Sequence, residues 1–364
     1  MKVKAQIPSY KKLTVDIPED SSPAVVRKLI CDAFGVEPAL TRMKKEDDVY
    51  VLDYYWARQL LLYGNALKRI RQGTVVLVGA GAIGNEAGKN LALSGVGRIV
   101  IVDMDLVEVS NLSRAVLFGR KDVGKPKAEV LRDGLKAVAP VKVEARSCRV
   151  EELDPKLWLE ADVIVSAVDN MAARFSLAET AVKYRLPLVD GGVRETGIRV
   201  QLMRSAKDAC LACLVPRAHW GDTLELRDPC DVFVEDKMPS SIQPMAVAGA
   251  IITEETLKLL SRKGKPLEGV LFIDMASNKY STLNLKKSSR CLLCGPEADL
   301  KPYQLYRNAK VKELKQKFDS YTPLARKNGR SLVLVSRRGL YRQIIVEQAG
   351  SKSDGRDSAN RETP

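Results

Sequence analysis

The chain has 364 residues, 45% of them hydrophobic, and carries 59 Lys plus Arg against 45 Asp plus Glu for a formal net charge of +14. It contains no apolar run of membrane-spanning length and no signal-peptide core behind Met1-Lys2-Val3-Lys4, so it reads as a soluble, cytoplasmic protein with no membrane partner. Basic residues are scattered and aromatics make up only 5%, which argues against nucleic acid as a partner.

Residues 1–52 read as a small unit. Lys2 to Ile7 and Leu13 to Ile17 alternate as a hairpin does. Val25 to Phe34 has helical spacing behind Ser21-Ser22-Pro23, a cap followed by an N1 proline, and Gly35 ends the helix. Val49 to Leu52 adds a further strand. The ββα(β) order resembles a partial β-grasp, which suits a docking appendage.

Tyr54 to Ile70 gives one or two helices leading into the apolar run Val75 to Val78. That run stops at Gly79-Ala80-Gly81-Ala82-Ile83-Gly84, a helix follows over Asn85 to Ser94, and a second run, Ile99 to Val102, ends at Asp103. Strand, glycine turn, helix, strand and acid make the sequence form of a nucleotide-binding βαβ unit. Gly79 permits the tight exit, Gly81 lets backbone approach a phosphate, and Gly84 lets the helix sit close to the sheet. The helix N-terminus offers N–H groups to an anion, and Asp103 stands where a carboxylate meets ribose hydroxyls. The unit by itself fits NAD, FAD or ATP.

Further strands and helices alternate through Ala128–Ala139, Val141–Ala145, Asp162–Ala167, Ala172–Tyr184 and Leu186–Gly192, with Asp169 and Asn170 at a strand end. This predicts an α/β fold: a doubly wound, mostly parallel, Rossmann-like sheet over residues 53–300. Ile198–Met203, Val270–Met275 and Ser281–Leu285 read as later strands, and Pro244–Leu260 as a helix. Residues 301–348 suggest a small segment of one helix and a hairpin, and residues 349–364 a polar, disordered tail. Cys210-Leu-Ala-Cys213 and Cys291-Leu-Leu-Cys294 have the spacing of a four-cysteine zinc site, here a cross-brace between distant segments. Such a site contributes roughly 10–16 kcal/mol apparent.

Five blocks in this order resemble the activating-enzyme superfamily, which includes ubiquitin-activating enzymes and the ThiF-type and molybdopterin-synthase adenylyltransferases. They are GAGAIG, the Asp103–Arg114 block DMDLVEVSNLSR, Gly124-Lys125-Pro126-Lys127, Val168-Asp169-Asn170 and the paired cysteines. The resemblance spans roughly residues 54–297. It implies adenylation of a carrier protein's C-terminal Gly-Gly carboxylate at the expense of Mg·ATP. Asp103 would then hold the ribose, Asn111 and Arg114 the phosphates, Lys127 the α-phosphate charge, and Asp169 the Mg²⁺, with Asp105 a second carboxylate near the metal or ribose. Arg58 matches the arginine that the family sends into the partner subunit's site, which implies a homodimer. Three positions depart from the pattern: Trp56 for tyrosine, Ala115 for glutamine and Ala82 for glycine.

Cys230 lies where the family's reactive cysteine lies, between Asp228 and Asp231, acids that would raise a thiol pKa. Two readings stand. The first is a ubiquitin-like-protein activating enzyme with a thioester at Cys230 and hand-off to a conjugating enzyme. The second is an adenylyltransferase for a sulfur carrier without an obligatory thioester. A non-catalytic nucleotide-binding protein and an NAD-dependent oxidoreductase are more remote.

Overall fold

The computed structural model describes residues 1–205, 207–214, 239–289, 291, 293–295, 304–307, 311–318, 320–327, 330–337 and 340–347. Its centre is an eight-stranded sheet in the order β12-β11-β10-β9-β8-β5-β6-β7. Strands β5 (Thr74–Val78), β6 (Arg98–Val102), β7 (Lys142–Arg146), β8 (Val163–Ser166) and β9 (Leu188–Arg194) are parallel. Strands β10 (Gly197–Met203), β11 (Gly269–Asp274) and β12 (Lys279–Leu283) extend them antiparallel. Residues 74–78 and 163–166 are buried throughout, as a sheet covered on both faces requires.

Alternation along β5 sorts two cores. Val75 and Leu77 face one side, with helices α4 (Ala82–Leu93), α5 (Lys127–Val138) and α8 (Ile242–Ser261). Val76 and Val78 face the other, with α6 (Pro155–Glu160), α7 (Met171–Tyr184) and the four cysteines. Glycine allows the closest approach of α4 to α8: a Cβ on Gly249 would stand 2.5 Å from Glu86 Cβ.

The N-terminal sheet has the order β2-β1-β4-β3, built from β1 (Lys2–Ile7), β2 (Lys11–Asp16), β3 (Thr41–Glu46) and β4 (Val49–Tyr54), with β1 and β4 parallel. Helix α1 (Pro23–Phe34) ends at Gly35, where φ is 68°. Strand β3 was not expected. Its sequence, TRMKKE, buries only Thr41, and as an edge strand it carries the charge that edges tolerate. This sheet shares one hydrophobic core with the central one, since Ile7, Ile30 and Leu52 belong to the same cluster as Ile70 and Ile99.

Trp56 sits at the join and is fully buried. Its Nε1 donates to Leu93 O at 3.2 Å, and the Arg71 guanidinium lies 3.8 Å from its ring centroid. Arg71 in turn pairs with Glu37 at 2.8 Å, and Tyr54 donates to Glu37 at 2.6 Å. The departure from tyrosine at position 56 is thus an anchor between the two sheets. Helices α2 (Ala57–Tyr63) and α3 (Leu67–Gln72) follow, broken at Gly64.

A third sheet, β13-β16-β15-β14, comprises β13 (Gln304–Arg307), β14 (Ser320–Lys327), β15 (Arg330–Arg337) and β16 (Leu340–Glu347). Leu332 and Ile345 pack with Trp158 and Tyr184 of the central core, while Val333, Val335 and Ile344 cover Leu314 and Phe318 at helix α9 (Val311–Lys317). The expected hairpin is therefore two strands of a four-stranded sheet. No helix among the described residues is long and apolar enough to cross a membrane.

Two stability predictions follow from these joins. Trp56→Ala should lower the free energy of unfolding by roughly 3–5 kcal/mol, read from the urea midpoint. Glu144 accepts from Arg98 at 2.9 Å, and this bond holds its carboxyl at about 2, below the ordinary 4.5. A depressed carboxylate pKa stabilises above the unfolded value and loses that contribution as pH falls through the folded one. Melting temperature should therefore fall from about pH 4.5 toward about pH 2, and Glu144→Gln should flatten part of that limb.

Candidate active site

Strands β5 and β8 are neighbours whose connections leave in opposite directions along the sheet, β5 toward β6 and β8 toward β9. Ligands in such sheets bind beyond the carboxyl ends at this switch point. The glycine turn lies there. Gly79 has φ 95°, and a Cβ on it would stand 2.5 Å from Ala167 O, just past β8. Backbone bonds Ala167 N to Val78 O (2.8 Å) and Gly79 N to Val102 O (2.9 Å) close the three strand ends together.

Above Gly81 a Cβ would meet nothing within 4 Å, so this backbone faces open space. Gly84 answers a different need from the one its spacing suggests. A Cβ there would collide with the Gly79 carbonyl, so the tightness lies within the turn rather than between helix and sheet. Ala82, where the resemblance leads one to expect glycine, simply begins α4. Asn85, which sequence reasoning passed over, pins the turn. Fully buried, it donates to Ala80 O (2.8 Å) and Gly81 O (3.1 Å) and accepts from Leu117 N (3.0 Å).

Asp103 accepts from Ala80 N at 2.6 Å and from Asp105 N at 2.8 Å. Burial pushes its carboxyl above the ordinary range against these two donors. Lys127, at the start of α5, pairs with Asp105 at 2.8 Å, and its backbone N–H donates to Asp105 O at 2.8 Å. Burial disfavours the Lys127 ammonium, but Asp105, Asp103 and Asp169 outweigh it and raise its pKa. One cation and three carboxylates from three separate segments therefore share one electrostatic neighbourhood. Asp169 is exposed in the loop after β8, and Asn170 caps α7 by accepting from Ala173 N at 2.8 Å.

Asn111 and Arg114 lie on the short turn that follows. Asn111 accepts from Glu108 N at 2.9 Å, and Arg114 donates to Ser110 O at 2.9 Å. Ala115, in place of the expected glutamine, is buried. Arg58 is not brought to this crevice. Its neighbours Trp56 and Gln59 both donate to Leu93 O, at the C-terminal end of α4, roughly 16 Å along the helix from the glycine turn. Arg58 itself is exposed, with no hydrogen bond among the described residues, beside the exposed Leu61 and Leu62.

The four predicted cysteines converge. Sγ separations are 3.9 Å (Cys210–Cys213), 3.6 Å (Cys210–Cys291) and 3.5 Å (Cys213–Cys294), and all four sulfurs lie within 4.8 Å of one another. A tetrahedral ion with metal–sulfur bonds of about 2.3 Å sets its sulfurs about 3.8 Å apart, so the donor set fits such an ion. Hydrogen bonding to Cys210 pulls the Cys213 thiol down to about 6 and lowers that of Cys291. Cys230 and its flanking acids lie outside the described residues.

The sequence profile of the ThiF family matches residues 56–293. The chain belongs to the ThiF family. It is 34% identical over 238 residues to a sulfur carrier protein adenylyltransferase of Thermus thermophilus, covering 63% of this chain and 85% of that one. A SAMP-activating enzyme E1 of Haloferax volcanii is 33% identical over 231 residues, covering 62% and 82%. Among solved structures, Escherichia coli MccB with AMPCPP and MccA superposes with a TM-score of 0.56 at 23% identity, over 66% of this chain and 74% of that one, a likeness of fold.

One constellation in this ThiF-family protein escaped the sequence reading. Asp190 of β9 is fully buried and accepts from Ser166 Oγ at 2.6 Å and from Arg174 Nη1 at 2.5 and 2.6 Å, and it also pairs with Arg199. Arg174 further donates to Val168 O, next to Asp169, and to Gly191 O at 3.1 Å. The signal was present: Asp190 ends an apolar strand run, as Asp103 and Asp169 do.

Proposed function

We propose that this adenylating enzyme activates the C-terminal carboxylate of a small sulfur-carrier protein ending in Gly-Gly. The observation that carries the reading is the meeting of Lys127 with Asp103, Asp105 and Asp169 beyond the switch point of a ThiF-family sheet. Named relatives favour the sulfur-carrier reading over an obligatory thioester and a conjugating enzyme, since the Thermus thermophilus and Escherichia coli proteins are adenylyltransferases of sulfur carriers.

A carboxylate oxygen of the carrier attacks the α-phosphorus of ATP, the bond from that phosphorus to the β-bridging oxygen breaks, and pyrophosphate leaves with its electron pair. The product is a mixed anhydride. Asp103 and the glycine turn receive the nucleoside end, with the open backbone at Gly81 and the α4 N-terminus toward the phosphates. Lys127 exchanges Asp105 for the α-phosphate, and Asn111 and Arg114 hold phosphate oxygens. Asp169, exposed at the rim, would hold Mg²⁺ with Asp105 beside it, neutralising the leaving pyrophosphate. Arg58, remote from its own crevice, serves the site of a second copy in a homodimer. The four thiolates take zinc as a structural brace.

Two measurements test this reading. ATP–pyrophosphate exchange should depend on a sulfur-carrier protein ending in Gly-Gly and should fall on the order of 100-fold in Asp169→Asn and in Lys127→Ala. Undiminished exchange in both variants rejects the site, and a thiol-sensitive adduct lost in Cys230→Ala would restore the thioester reading. Elemental analysis should find one zinc per chain, absent from Cys291→Ser/Cys294→Ser.

A further inference from the structure

The Ser166–Arg174–Asp190–Arg199 cluster holds two guanidinium groups against one carboxylate. The excess positive charge is not shared evenly. Arg174 is buried and spends its terminal nitrogens on Asp190, Val168 O and Gly191 O. Arg199 reaches Asp190 with Nη2 alone. Its Nε and Nη1 make no hydrogen bond among the described residues, and its side chain is 24% exposed. The spare positive charge therefore sits on the partly exposed member of the pair, where its remaining N–H donors are open to an incoming acceptor.

Three neighbours describe the partner that would fit. Gly192, paired with Arg199 in the sheet register, has no side chain over the guanidiniums; a Cβ there would stand 3.1 Å from Arg174 Nη2 and 3.5 Å from Arg199 Nη2. Phe272, the residue opposite Arg199 on β11, is exposed. Arg174 links the cluster through Val168 O to the loop that carries Asp169. The free N–H donors of Arg199 thus lie beside a residue without a side chain, with an exposed apolar ring opposite and a hydrogen-bonded link through Arg174 to the loop that carries Asp169. An anionic group on a thin chain fits there, and a bulky side chain does not.

We propose that Arg199 is a substrate-binding residue that receives the terminal carboxylate, or the last peptide carbonyls, of the chain end to be adenylated, with Arg174 and Asp190 positioning it. This rests on the proposed adenylation of a C-terminal carboxylate and names the residue that recognises it before attack on ATP. Asp190 keeps Arg174 as a partner when Arg199 is replaced, so Arg199→Gln leaves no buried carboxylate unpaired.

The test uses the full-length protein and a short fluorescent peptide ending in Gly-Gly, prepared as free acid and as C-terminal amide, with binding read by anisotropy. The wild type should bind the acid about tenfold or more tighter than the amide, as one charge-assisted bond allows. That ratio should collapse toward one in Arg199→Gln and be partly retained in Arg199→Lys. An unchanged ratio in Arg199→Gln, equal or undetectable binding of both peptides by the wild type, or a parallel loss of fluorescent ATP binding overturns the assignment. Failure of carrier-dependent pyrophosphate exchange in the wild type rejects the proposed reaction instead, because the acid–amide comparison involves no turnover.

Discussion

A Cβ on Gly79 would lie 2.5 Å from Ala167 O, and the crevice exists in its present form because that atom is missing. Strands β5 and β8 diverge in their connections at this point, yet their carboxyl ends must stay close enough for Asp169 to come into range of Lys127. A positive φ at residue 79 turns the chain back over β8 instead of continuing along it. Asp103 then finds the Ala80 N–H, Asn85 finds the Ala80 and Gly81 carbonyls, and the turn is locked from both sides by side chains that point toward it. The charges come from three segments apart in sequence, and the backbone geometry of one turn gathers them.

Much of this was legible before any coordinates, because buried parallel strands and capped helices leave strong local marks. Val75–Val78 and Ile99–Val102 could be read as strands from their β-branched runs, and Pro23 and Gly35 bracket α1 as helix-edge residues do. What escaped were elements without such marks. Strand β3 is basic and mostly exposed, β13 pairs with β16, remote in sequence, and β14 is interrupted by Pro323 and a register shift beside it. Helix α6, six residues behind Pro155, is too short to show a period. Asp190 follows an apolar run, but nothing local reveals that two arginines, one on a helix and one on the next strand, close on it. Arg58 could be matched to a motif, whereas its distance from the crevice of its own chain could not be read from the motif.

The cysteine cluster and the active-site crevice are coupled by position. Cys210 and Cys213 follow directly on β10, the strand that carries Arg199, and Gln201 on that strand donates to Ala209 O at 3.3 Å. Cys291 and Cys294 come after β12, at the sheet edge. Joining the two pairs therefore ties the end of β10 to chain that has already left the sheet. The thiols can be brought this close only as a mixed set of donors and acceptors or around a cation, since four thiolates at 3.5–3.9 Å repel one another.

The stretch shared with the family begins at residue 56, but the core it belongs to does not. Ile7, Ile30 and Leu52 pack in the same apolar cluster as Ile70 and Ile99, and Trp56 is stacked against Arg71, which Glu37 holds from the other side. The N-terminal sheet is thus not a bead on a string that could be shed or exchanged while the enzyme stayed whole. A lineage that lost it would have to rebuild the surface beneath it with polar side chains, position by position. The boundary drawn by common ancestry and the boundary drawn by water exclusion fall in different places in this chain.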